Sequence, residues 1–214
     1  MTALIAAMFL QGQAYSLRWK PVAGEEARFH TEFRLVKDGA ATDVESEQLR
    51  KLVKVAADGS YIVRSTSKGM VMRSQGQEVK DEQTNTVELG FGPNGNLTHF
   101  LTAKTVGLAS RIAGFTCFVS PPQPVTEGES YTVSRAGRDD GLPSSETAYT
   151  LKSVAGAVAT IGFSFKETSG SDRASAQGTW TVNAETGAPQ SLDLALKGFK
   201  TGFGELVSYK LTRL

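Results

Sequence analysis

The chain of 214 residues has one cysteine, Cys117, and two histidines, His30 and His99. A single cysteine excludes an internal disulfide and any multi-cysteine zinc site. Cys117 stands in Phe115-Thr116-Cys117-Phe118, an apolar setting with no histidine nearby in sequence, so it reads as a small buried hydrophobe and not as a nucleophile. Two histidines so far apart give no metal-ligand spacing, and we expect no metal site. The chain also lacks an excess of charge: 23 basic residues face 22 acidic ones, for a net +1. That balance leaves no electrostatic footprint for DNA or RNA and no positive surplus to hold an anionic membrane. No apolar run reaches the roughly 20 residues needed to span a bilayer. Motifs of acyl-transfer chemistry are missing as well, since G-x-S-x-G does not occur. Adjacent carboxylates do occur, in Glu25-Glu26 and Asp139-Asp140, but neighbours on an extended chain point apart. The loop Gly137-Arg138-Asp139-Asp140-Gly141 lacks calcium-loop spacing.

Alternation is what the sequence has in quantity. In residues 27–35, Ala27, Phe29, Thr31, Phe33 and Leu35 fall on one face, and Arg28, His30, Glu32 and Arg34 on the other. That is the pattern of a half-buried strand. Residues 157–166, 192–197 and 207–212 repeat it. Strand-like runs also cover 15–20, 44–56, 60–66, 71–73, 86–91, 130–134, 148–153 and 178–183. Turn dipeptides punctuate them, among them Asp38-Gly39, Asp58-Gly59, Gln75-Gly76, Asn94-Gly95 and Thr186-Gly187. Strands separated by tight turns, with no helices between, predict antiparallel hairpins.

One internal helix is predicted over 102–114, with Thr102 as N-cap, Gly114 as stop, and Val106, Ala109, Ile112 and Ala113 on one face. Beyond it, Pro121, Pro122 and Pro124 mark an extended connection near the middle of the chain. The loop Gly90-Phe91-Gly92-Pro93-Asn94-Gly95 spells the dinucleotide fingerprint G-x-G-x-x-G. The next residues, Asn96-Leu97-Thr98-His99-Phe100, read as a strand and not a helix, and no acid stands about 20 positions on. The loop therefore reads as a hairpin turn, with no nucleotide cofactor. His99 is expected on the same face as Leu97 and half-buried. At the other end, residues 3–10 are apolar and Gly12-Gln13-Ala14 supplies a small-x-small pattern, while the first charge is Arg18. Residues 1–14 thus read as a secretory signal without its usual positive n-region, which would place the protein in the periplasm, envelope or medium.

Several stretches resemble a group of exported, β-rich bacterial proteins. These are Leu17-Arg18-Trp19-Lys20-Pro21, residues 53–61, Phe91-Gly92-Pro93-Asn94-Gly95-Asn96-Leu97, residues 124–131 and residues 179–187. The resemblance implies location and fold, and it brings no catalytic residues.

The expected architecture is mostly β: one domain over 15–214, a large curved antiparallel sheet of about ten or eleven strands. It would form an open or half barrel around the helix. Bacterial envelope lipid and lipoprotein carriers share this outline, which is an analogy of fold only. The leading expectation is an exported, non-enzymatic protein that binds an apolar small molecule or an envelope protein. Phe29, Phe33, Phe163, Phe165, Trp180 and Ile112 are the candidate lining residues. The alternatives are a structural or interaction module without a small-molecule ligand, and an enzyme with a dispersed site.

Overall fold

The alternation over residues 26–37 builds a strand, β1 (Glu26–Lys37), that turns Phe29 and Thr31 inward to near-complete burial. The structure is a computed structural model and describes residues 12–100, 106–138 and 142–214, with the backbone alone over 106–110. Eleven further strands come after it: β2 (Ala40–Val55), β3 (Tyr61–Ser74), β4 (Gln77–Asp81), β5 (Asn85–Phe91), β6 (Leu97–Phe100), β7 (Ser130–Arg135), β8 (Ser145–Ala155), β9 (Val158–Glu167), β10 (Ser175–Asn183), β11 (Pro189–Thr201) and β12 (Gly204–Arg213). One helix, α1 (Val106–Thr116), lies between β6 and β7.

All twelve strands join one antiparallel sheet in the order β6-β5-β3-β2-β1-β12-β11-β10-β9-β8-β7, with β4 paired to β3. The chain starts in the middle of this sheet, at β1, and meanders to one edge. It then crosses by way of α1 to the other edge and meanders back, ending on β12 beside its own start. The edges β6 and β7 do not pair, so the curved sheet is an open half barrel and not a closed one.

The local structure departs from the sequence pattern in several places. Residues 15–20 are not a strand. Tyr15 makes an isolated bridge to Val125, and Leu17 turns into the left-handed region at φ 45° while burying its side chain. Residues 60–66 and 71–73 are not two strands but one, β3. β5 covers the outer edge of its first half and β4 that of its second; β4 is the strand the sequence pattern lacks. β4 has no apolar pattern; the Gln75-Gly76 turn, with φ 51° and 79°, folds it back onto β3.

The helix is displaced from its predicted bounds. It runs to Thr116, past Gly114, and Thr102 lies outside the described residues. Gly114 does not end it, because the Arg135 guanidinium caps the Gly114 carbonyl at 3.1 Å and the Thr116 hydroxyl bonds back to the Ile112 carbonyl at 2.9 Å. The extra turn carries Phe115, which is fully buried against Phe165, Phe199 and Tyr209 at ring centroid distances of 5.9, 5.3 and 6.3 Å. Of the predicted packing face, Ile112 and Ala113 point to the concave side; the side chains of Val106 and Ala109 lie outside the described ones.

A buried ion pair locks the helix in place. Glu167 on β9 accepts two hydrogen bonds from Arg111, at 2.8 and 2.7 Å, and a third from the Ala174 N–H at 2.7 Å. The Arg111 guanidinium also stacks over Phe199, 4.7 Å from its ring centre. Its hydrogen bonds to Glu167 hold it charged and raise its already high pKa.

Candidate functional site

The inner face of the sheet changes character from one half to the other. On β8 to β12 it is aromatic and aliphatic: Tyr149, Leu151, Ile161, Trp180, Leu192, Leu194 and Leu211 are almost wholly buried. On β1 to β3 a polar stripe crosses it instead. The register sets Thr31 opposite Ser46, Gln48 opposite Ser67, and Arg50 opposite Ser65. Beyond this stripe, towards the β3–β5 end, a second small apolar cluster forms from Leu52, Tyr61, Val63, Phe91, Leu97 and Ala113.

Between the two clusters lies a partly enclosed cavity of about 340 Å³. Its walls come from β1, β2, β3, β5 and the helix, with Trp180 and Tyr209 closing the far side. That volume is at the low end for small-molecule sites, which are mostly apolar with a few placed polar groups. The lining matches: Phe29, Leu52, Tyr61, Val63, Leu89, Phe91, Phe100, Ile112 and Phe118 are apolar or aromatic, and the stripe supplies the polar groups.

Three buried polar atoms lack a hydrogen-bond partner among the described residues: Thr31 Oγ1, Ser65 Oγ and Trp180 Nε1. All three residues line this cavity. The Thr31 hydroxyl lies towards the Tyr209 phenol and partly opposes the rise in its pKa that burial causes. An orphaned buried polar group costs about 1–3 kcal/mol, and each of these atoms is itself closed off from the open space.

Among the described residues three charged ones reach the cavity, Glu25, Arg50 and Arg213. Arg213 lies 3.7 Å from Glu25. Arg50 has no carboxylate partner among the described residues. Its Nε donates to Gln48 Oε1 at 2.7 Å, and its guanidinium lies over the Phe29 ring at 4.7 Å. The electrostatic surroundings agree with an inward charge. Burial pushes the Tyr61 and Tyr209 phenols and the Cys117 thiol up, and Arg50 partly opposes the shift at each.

The sequence-predicted lining residues divide. Phe29, Phe33, Trp180 and Ile112 line the cavity. Phe163 and Phe165 do not; they are packed into the larger core beside Tyr149 and Phe115. Cys117 lies on the cavity wall, half-buried, and its raised pKa keeps it a thiol. The polar stripe lies outside the set of residues that the sequence suggests for the site.

The G-x-G-x-x-G stretch is a hairpin between β5 and β6. Gly92 N–H bonds to the Asn96 carbonyl and Gly95 N–H to the Gly92 carbonyl. Gly95 is required twice over: its φ is +87°, and a Cβ there would stand 2.5 Å from the Phe118 carbonyl oxygen. His99 is not on the face of Leu97. The pairing slips by one residue between Gly90 and Phe91, and this bulge turns His99 outward and exposed while Phe100 turns in. Its ring covers Gly90, where any Cβ would collide with it. Among the described residues no group of three or more metal-ligating side chains forms, and no helix is long and apolar enough to cross a membrane.

No protein-family model matches the chain, and no curated protein matches it in sequence. Among solved structures it is similar, slightly, to DynF from the dynemicin biosynthesis pathway of Micromonospora chersina. The identity is 9%, the match covers 95% of this chain and 85% of that one, and the TM-score is 0.21, too low to carry an argument about fold or function.

Proposed function

We propose that this protein is a non-enzymatic binding protein that holds an apolar small molecule in the cavity between the two halves of its sheet. The observation that carries the reading is the cavity itself. It is about 340 Å³, its walls are largely apolar, and three buried polar atoms around it have no partner among the described residues. A surface meant only to be core would fill that space.

Binding suits the lining better than turnover does. The polar groups present are hydroxyls, an amide, a protonated thiol, an arginine and a Glu–Arg pair. No histidine is among the described lining residues, and the one carboxylate there, Glu25, faces Arg213. The reading includes export, in keeping with the apolar run and small-residue pattern over residues 1–14. A carrier in the envelope would shield a poorly soluble cargo from water.

Native mass spectrometry of the protein purified from its own host tests this. The expected result is a non-covalent adduct of one small molecule per chain, released on denaturation and extractable into organic solvent. A bare polypeptide mass in every preparation, together with no uptake of added apolar compounds, would contradict it.

A further inference from the structure

The chemistry of the polar stripe narrows the ligand class, and it rests on the reading that the cavity binds a small molecule. Arg50 and Ser65 face each other across the β2–β3 pair, on the inner side of the sheet. Arg50 engages only one of its N–H groups with the described residues, the Nε–H held by Gln48. Gln48 is held in turn, its amide nitrogen lying 3.5 Å from Ser67 Oγ. One face of the guanidinium rests on Phe29. The group is thus oriented by neighbours that leave its terminal nitrogens open. Ser65, its neighbour on β3, has its hydroxyl closed off from the cavity, so Arg50 alone presents open donors here.

The balance of charge points the same way. Arg213 faces Glu25 at the rim, so the described lining is left with one positive charge and no countercharge of its own. A single cation with open donors calls for an acceptor with one negative charge. A phosphate monoester, at about −1.5 to −2, would bring more charge than one guanidinium balances. A carboxylate matches in charge and in fork geometry.

We propose that the ligand is an apolar monocarboxylate, with its hydrocarbon body against Leu52, Val63, Leu89 and Phe91 and its carboxylate held by the terminal nitrogens of Arg50. The cavity would then select for the acid over an uncharged molecule of the same length.

Both tryptophans of the chain, Trp19 and Trp180, line the cavity, so intrinsic fluorescence can follow its filling. The test titrates dodecanoate, dodecanol and dodecyl phosphate into the wild-type protein and into Arg50→Met, which keeps an apolar stem over Phe29. Dodecanoate should bind wild type about tenfold or more tighter than dodecanol, and dodecyl phosphate should bind no tighter than dodecanoate. In Arg50→Met the preference for the acid should vanish, with dodecanol affinity within about threefold of wild type. Equal affinity for acid and alcohol in wild type, or an acid preference that survives in Arg50→Met, overturns the proposal and leaves the carrier reading standing. Tighter binding of dodecyl phosphate by about tenfold overturns the carboxylate assignment. If none of the three binds, the carrier reading falls and takes this one with it. Should Arg50→Met fail to fold, the wild-type comparison of acid with alcohol decides alone.

Discussion

The two halves of the sheet are built alike and filled differently. Both are antiparallel meanders that end at an open edge, and both turn an inner face toward the helix. In β8 to β12 that face is close-packed with aromatic and branched side chains, several of them wholly buried. In β1 to β3 it carries serine, glutamine, threonine and arginine around an open space. Under the proposed function, stability and binding fall in different halves. One half supplies the dense core, and the other can leave polar groups unpartnered because the first half holds the fold.

That division predicts unequal costs for similar substitutions. The largest should fall where the helix meets the packed half. Phe115→Ala should cost about 3–5 kcal/mol in urea denaturation, because it empties a site touched by three other rings. Arg111→Ala should cost about as much, since it strands the Glu167 carboxylate in a buried site with one backbone N–H. Phe91→Ala, on the cavity wall, should cost about 3 kcal/mol or less, because part of its surroundings is already open. Equal losses at Phe115 and Phe91 would break the comparison.

Alkaline pH probes both halves at once. Burial raises the phenols of Tyr61, Tyr131, Tyr149 and Tyr209, four of the five tyrosines. The folded state therefore favours their protonated form. Their contribution to stability is complete below the unfolded value of about 10 and is lost as pH rises beyond it. Absorbance titration should show these four ionising only together with unfolding. Free titration of Tyr61 and Tyr209 near their unperturbed value, in a folded chain, would mean that the cavity is open to bulk water.

How much of the molecule can be read in the sequence also differs between the halves. Strands β9, β11 and β12 announce themselves, because each has one apolar face: Ala159, Ile161, Phe163 and Phe165 on β9, for example. The hairpins are legible from Asp38-Gly39 and Asn94-Gly95, whose glycines do take positive φ. β2 is different. Val44, Ser46, Gln48, Arg50 and Leu52 alternate with Glu45, Glu47, Leu49, Lys51 and Val53, and neither set is plainly apolar. A period of two identifies the strand but not which face turns inward. The polar stripe becomes visible only when the β1–β2–β3 register and the helix above it are known. The Arg111–Glu167 pair is hidden for another reason, as its partners lie 56 residues apart. Simple alternation puts His99 on the wrong face because one bulge reverses every side chain after it.

The smallest expected effect is the most telling. The central claim is that the polar stripe is not needed by the fold. The measurement is the urea midpoint of the double variant Thr31→Val, Ser65→Ala. Replacing an orphaned buried hydroxyl by an apolar group of similar shape is neutral or stabilising. The variant should unfold at the wild-type midpoint or be up to about 1 kcal/mol more stable. A loss of about 2 kcal/mol or more would show that these hydroxyls hold the sheet together, and would contradict the claim that this half of the molecule is kept open for a ligand.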